Sequence, residues 1–135
     1  MFIFTLVLCC LSSGCGKNGL ETKVVYGTVK VGGEPVPFGQ VMFVPIDDTP
    51  GPSGFSTIQE GSYRVEARGG VPLGTHRVEV IAERKTGKQI PGREGTLVDE
   101  KARMGPPIYA TEESPLRFTV SKKESGEFNI EFPVE

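Results

Sequence analysis

Few side chains in this chain could do chemistry, and their placement narrows what that chemistry is. The three thiols are Cys9, Cys10 and Cys15, and no cysteine follows. The body beyond them therefore offers neither a disulfide framework nor a thiolate metal site. His76 is the single imidazole. Nucleophilic catalysis needs a base beside its nucleophile and a third group that orients the base. No nucleophile motif surrounds His76, which opens a strand pattern next to Arg77, so it is expected to face solvent. Asp47-Asp48-Thr49 lies in a Pro/Gly-rich stretch, with Glu60 as the next acidic side chain. Calcium takes roughly six to eight oxygens, and two adjacent aspartates supply too few; a solvated turn is expected there. No catalytic, metal-binding or cofactor residue is assigned, and no cofactor is implied.

Cys15 points to a different chemistry. Residues 1–11, MFIFTLVLCCL, are apolar except for Thr5, and the first charged side chain is Lys17. Such a run is too short to cross a bilayer, which takes about 20 residues. It suits the apolar core of an export signal, about 7–15 residues followed by small residues at the cleavage point. Ser12-Ser13-Gly14 supplies those, and Cys15 follows. The arrangement resembles a bacterial lipobox, whose cysteine is acylated and becomes the new N-terminus. Cys9 and Cys10 are then apolar filler, since a thiol packs as a small hydrophobe. Ser12 stands where a lipobox usually carries Leu, Leu11 sits one place further back, and no basic residue precedes the apolar run. The alternatives are an ordinary cleaved signal with an incidental Cys15, or a cytosolic chain with a buried N-terminal strand. The expected organisation is a signal peptide over 1–14, a lipidated Cys15 with its tether over 15–22, and one domain over 23–135.

That domain is long enough to bury a core without covalent staples. A net charge of −2 with both signs interspersed gives no electrostatic footprint for nucleic acid. Glycine and proline, 18 and 11 of 135 residues, indicate many turns rather than disorder.

The elements that must position any site read as strands. SYRVEA (62–67) sets Tyr63, Val65 and Ala67 against Ser62, Arg64 and Glu66. HRVEVIAE (76–83) sets Val78, Val80 and Ala82 against Arg77, Glu79 and Glu83. LRFTV (116–120) turns Leu116, Phe118 and Val120 inward, and EFNIEF (127–132) does so with Phe128, Ile130 and Phe132. Period-two alternation marks antiparallel strands with one face on a core and one in water. KVVYGTVKV (23–31) and QVMFVP (40–45) are apolar on both faces, and GFSTIQ (54–59) is a weaker strand. GGEPVPFG, PIDDTPGPSG, QEGS and RGGVPLGT separate these runs, with QEGS read as a tight hairpin. Between Lys85 and Pro107 alternation stops. That segment is expected to be a mobile loop, with a short helix in TLVDEKARMGPP capped by Thr96 and Asp99 and stopped by Gly105.

Taken in order, VYGTVKVGGEPVPFGQVMFVP, GFSTIQEGSYRVEA and GVPLGTHRVEVIA resemble the carboxypeptidase-regulatory-like, or transthyretin-like, β-sandwich repeat. The tail PPIYATEESPLRFTVSKKESGEFNIEFPV is similar to the end of small lipoproteins abundant in planctomycetes. The resemblance covers nearly the whole chain beyond the leader and rests on turn and core residues. It implies an all-β fold, a seven-stranded antiparallel Greek-key sandwich, and no established activity. The hydroxyisourate hydrolases of transthyretin-type fold use more than one histidine and a short C-terminal signature; one histidine and the ending FPVE do not reproduce that site.

A non-catalytic, membrane-anchored module of the cell envelope, facing periplasm or exterior, is the expected function. A secreted or surface carbohydrate- or polymer-binding module is the alternative. Expected partners are the membrane, through the lipid, and an envelope protein or polysaccharide. Tyr26, Ile108 and Tyr109 are the candidate contact residues. Arg84-Lys85 and Lys122-Lys123 read as charges that blunt sheet edges. PPIYA (106–110) reads as a cap packed on the sheets or as an exposed docking patch.

Overall fold

A computed structural model describes residues 19–135; the leader and Cys15, with the readings made on them, lie outside the described residues. The described chain is all-β, and its only helical segments are three short 3₁₀ turns, Ala67–Gly69, Arg93–Gly95 and Pro107–Ala110. Its strands are β1 (Thr22–Lys23), β2 (Val25–Val31), β3 (Glu34–Pro35), β4 (Phe38–Pro45), β5 (Gly54–Gln59) and β6 (Ser62–Val65), followed by β7 (Val71–Pro72), β8 (Gly74–Pro91), β9 (Leu97–Arg103), β10 (Arg117–Val120) and β11 (Ile130–Phe132).

One continuous sheet runs in the order β10-β8-β4-β5-β6-β2-β11, with β3 added to β2 and β9 added to β8; β1 and β7 form a separate two-stranded ribbon. Neighbours are antiparallel except β2 and β11, which pair in parallel. The expectation of a seven-stranded antiparallel Greek-key sandwich is thus met only at the level of an all-β, mainly antiparallel fold. The sheet curls on itself at the β5–β6 hairpin. There Gln59↔Ser62 is the only paired position, against the long ladder Phe38↔Gln59 to Phe43↔Gly54 between β4 and β5. Glu60 and Gly61 form the turn with φ of 49° and 78°, the paired positive dihedrals that a two-residue hairpin matched to strand twist requires.

Curling directs one face of the strands of the body inward. Val25, Val29 and Val31 of β2, Val41 and Phe43 of β4, Tyr63 and Val65 of β6, and Ile130 and Phe132 of β11 are all buried. Burying one such side chain fully contributes about 1.5–3 kcal/mol. Phe43 is the hub. Its ring centroid lies 6.1 Å from Tyr63, 6.2 Å from Phe118, and 6.4 Å from both His76 and Phe128. The alternation read in 62–65, 116–120 and 127–132 is realised; Ala67, read as inward, is exposed in a 3₁₀ turn.

Two expectations are overturned. His76 is fully buried. It shares the parity of Val78, Val80 and Ala82 on β8, and residues two apart on a strand point to the same face. Its place at the opening of the strand pattern, beside Arg77, suggested solvent, but its phase is that of the inward residues. Residues 85–107 are not a loop with a short helix. β8 continues to Pro91 and β9 returns along it, pairing Glu83↔Arg103, Arg84↔Ala102, Lys85↔Lys101, Gln89↔Asp99, Ile90↔Val98 and Pro91↔Leu97. Thr96, expected as a helix cap, accepts nothing helical; its hydroxyl donates to the Arg93 carbonyl at 2.7 Å and closes the turn.

Candidate functional site

β9 and β10 lie on the same side of β8, since Glu83 pairs with Phe38 of β4 on one side and Arg103 of β9 on the other. The chain therefore tracks β8 backwards along β9, leaves it, and rejoins it as β10. Residues 104–116, which leave, form a strap. Its ends are fixed by backbone bonds, Met104 N–H to Ala82 O at 2.8 Å and Val78 N–H to Leu116 O at 3.0 Å. Between them Ser114, fully buried, donates its hydroxyl to Val78 O at 2.6 Å. A side chain there replaces the ladder bond that the departing backbone no longer makes.

The strap also closes the curled sheet. The β11 edge and the β8–β10 edge share no hydrogen bonds; aromatic pairs join them. Tyr109 stacks on Phe132 with centroids 4.4 Å apart at 16°, and Phe118 stacks on Phe128 at 4.5 Å and 15°. Lys23 reinforces this end by donating its ammonium to the Ser121 carbonyl at 3.1 Å, and to that of Glu124, in the β10–β11 connection. Tyr63 donates its hydroxyl to Phe128 O at 2.6 Å, and burial pushes its pKa well above the ordinary tyrosine value.

Outside the strap lies a groove of about 340 Å³ lined by Gln40, Met42, Phe55, Glu79, Ile81 and Ala110. Met42 pairs with Phe55 across β4–β5 and with Glu79 across β4–β8. Phe55 is 63 % exposed. The one carboxylate in the floor is neutralised, because Arg77 meets Glu79 at 3.0 Å. Another concentration of exposed aliphatics is at the far end of the β8–β9 ribbon, where Ile90, Leu97 and Val98 stand around the Arg93–Gly95 turn.

The residues singled out from sequence fall in different places. Tyr26 is 37 % exposed on the outward side of β2, with the Arg64 guanidinium 5.7 Å above its ring. Ile108 is exposed on the strap, whereas Tyr109 beside it is half-buried against Phe132. PPIYA thus serves as a cap through one side chain and presents the other. Asp47 and Asp48 form a tight turn at φ 51° and 60°, closed by Thr49 N–H to Ile46 O at 3.0 Å. Glu60 sits at the opposite end of β4, because Phe38 pairs with Gln59 while Pro45 leads to Asp47. Among the described residues no group of three His, Cys, Asp or Glu side chains is placed to hold a metal. His76 holds Gly74 O through Nδ1 at 3.2 Å, and its Nε2 has no hydrogen-bond partner among the described residues. Burial lowers its pKa below the ordinary imidazole value, against the opposing effect of the backbone carbonyls of Gly74 and Phe118.

The groove and the ribbon tip were missed from sequence. The signal for the groove was the apolar pair Met42 and Phe55 at outward positions of strands whose inward residues are already apolar. The signal for the tip was Ile90, Leu97 and Val98 flanking a Gly-rich turn. No family model, curated protein or solved structure matches the chain.

Proposed function

We propose that the chain is a non-catalytic lipoprotein of the cell envelope, acylated at Cys15 and displaying one transthyretin-like β-sandwich as an interaction module. The observation that carries this reading is the short distance in sequence between Cys15 and the start of the fold. Leu73 N–H already bonds Glu21 O at 3.0 Å, and β1 begins at Thr22, so five residues, 16–20, lie in sequence between Cys15 and this first backbone bond. Each acyl methylene buried in a bilayer contributes about 0.8 kcal/mol, so two or three chains hold a domain firmly. The ring contacts of Phe43 on β4 with Tyr63 on β6 and with Phe128, across the curl of the sheet, support the sandwich. β7, partner of the first strand, leads directly into the Gly74 end of β8; the ribbon leaves from the other end. An anchor at Cys15 therefore presents the ribbon away from the membrane. Cells fed a radioactive fatty acid will label the wild-type protein and not the Cys15→Ala variant; equal labelling of both, or of neither, refutes the anchor.

A polymer-binding module is favoured by the exposed Tyr26 ring alone, one of whose faces Arg64 already covers. Retention on envelope polysaccharide that is lost in Tyr26→Ala would support it.

A further inference from the structure

We propose that the apolar tip of the β8–β9 ribbon, Ile90, Leu97 and Val98, docks into the Met42–Phe55–Ile81–Ala110 groove of a second copy of this chain. The inference does not depend on acylation of Cys15. The tip is unusually apolar for a projecting element on both its faces, Ile90 paired with Val98 on one and Leu97, 64 % exposed, paired with Pro91 on the other. A two-stranded ribbon gains nothing in water from displaying such side chains. It cannot reach its own groove. β8 is one strand from Gly74 to Pro91, and at about 3.3 Å per residue the tip stands about 25 Å beyond Glu83, where pairing to β4 ends.

Charge selects the occupant. Residues 83–103 carry six basic and four acidic side chains, and the rest of the chain carries nine and thirteen, so the arm is positive and the remainder negative. At the contact itself the match is local. Lys88 and Arg93 beside the tip make no ion pair among the described residues, and neither do Glu112 and Glu113, exposed residues two and three places along the strap from Ala110, which lines the groove. Of the arm's four acids, Asp99 meets Lys85 at 2.7 Å and Glu100 accepts from Thr86 at 2.6 Å. Glu83 and Glu94 make no ion pair among the described residues, which leaves Lys88 and Arg93 against Glu94 alone at the tip. Association through the ribbon edges, by contrast, is obstructed. The pairing of β8 with β9 shifts register between Lys85 and Gln89, and Lys85 and Lys88 lie at that irregularity; a bulge and charged residues are both devices that blunt an edge. That leaves the side chains of the tip as the means of contact.

The test uses the full chain in detergent, with nitrogen-14 and nitrogen-15 copies mixed. Sedimentation velocity will show concentration-dependent association, and a zero-length carbodiimide will join Lys88 to Glu112 or Glu113 between light and heavy copies. Leu97→Asp and Phe55→Glu, both at exposed positions, will each weaken association about tenfold or more with melting temperature unchanged. Lys88→Glu/Arg93→Glu will weaken it as well, and mixing that variant with Glu112→Lys/Glu113→Lys will restore it. Restoration by the swapped charges separates this contact from association through acyl chains. A monomer at about 100 µM overturns the proposal, as does association indifferent to all four variants. So does a tip whose variants lose only binding to phosphatidylglycerol vesicles, because the occupant is then an anionic lipid surface.

Discussion

β8 runs through two environments without a break in its backbone. From His76 to Ala82 every second residue is fully or nearly fully buried under the strap and against β4, while from Arg84 to Pro91 all eight positions are exposed and only β9 accompanies them. The first half belongs to a body held by burial and ring stacking. The second is held by backbone hydrogen bonds, one ion pair between Lys85 and Asp99, and the Lys101 ammonium 4.7 Å above the Phe38 ring. An exposed ion pair contributes at most about 1 kcal/mol. The same strand is therefore stable in one half through its side chains, and ordered in the other through attachment to the first.

The comparison is broken most directly at the hub of the body. Phe43→Ala removes a fully buried ring that touches both halves of the curled sheet, and should cost about 3–5 kcal/mol. Chemical denaturation will show that loss in the midpoint. If the cost is under about 1 kcal/mol, the aromatic cluster is not what joins the halves.

Next in size is the closure of the sheet edges. Tyr109→Ala removes the stack on Phe132 and should cost about 2 kcal/mol, the sum of a half-buried ring and its stacking preference. Hydrogen exchange will localise the effect: amides of β11 and of residues 104–116 should exchange faster, while those between Val41 and Val78 keep most of their protection. Uniform acceleration would mean that the strap is part of one cooperative unit with the core.

The same contrast decides what could be read from the sequence. Alternation records burial of one face, and strandedness only through it. Val78-Glu79-Val80-Ile81-Ala82 reads as a strand because one side meets a core. Lys85 to Gln89 has water on both sides, so nothing in its pattern distinguishes ribbon from loop; its pairing is visible only once Ala102 and Lys101 are seen opposite Arg84 and Lys85. Tyr63, Phe118 and Phe128 were legible as core, but that Phe118 and Phe128 join two sheet edges is a matter of tertiary arrangement. His76 was misread for a related reason: its place at the start of the strand, beside Arg77, was given more weight than its parity, which is that of Val78 and Val80. Met42 and Phe55 carried a signal in being apolar at outward positions, which no expectation of a one-sided sheet explains.

His76 sharpens the comparison by adding a titratable group to the body half. Its folded pKa lies below the ordinary value of 6.5 because burial disfavours the imidazolium. The unfolded chain then binds more protons than the native one as pH falls below 6.5, so stability is whole above that pH and declines as pH drops toward the folded value. His76→Leu removes both the titration and the unpartnered Nε2. At pH 7 the variant should be equal to wild type or slightly more stable, since a buried polar atom without a partner is costly. Thermal melts between pH 7 and 5 should show wild type losing stability faster than the variant. Parallel curves would mean that the ring is protonated at no cost inside the fold.

The smallest effect is expected at the ribbon. Leu97→Ser exchanges an exposed side chain for a polar one in an element with no core, and should change the unfolding free energy by less than about 0.5 kcal/mol. Its value lies in what accompanies that silence. If the ribbon is ordered by attachment alone, amides from Arg84 to Pro91 that bond to β9 should exchange by local opening, orders of magnitude faster than those of Val78 and Val80, which open only with the body. Fraying of β9 would then leave the melting temperature untouched. A Leu97→Ser variant that instead melts several degrees lower would assign the tip a folded-state partner within its own molecule, and would make the two halves of β8 alike after all.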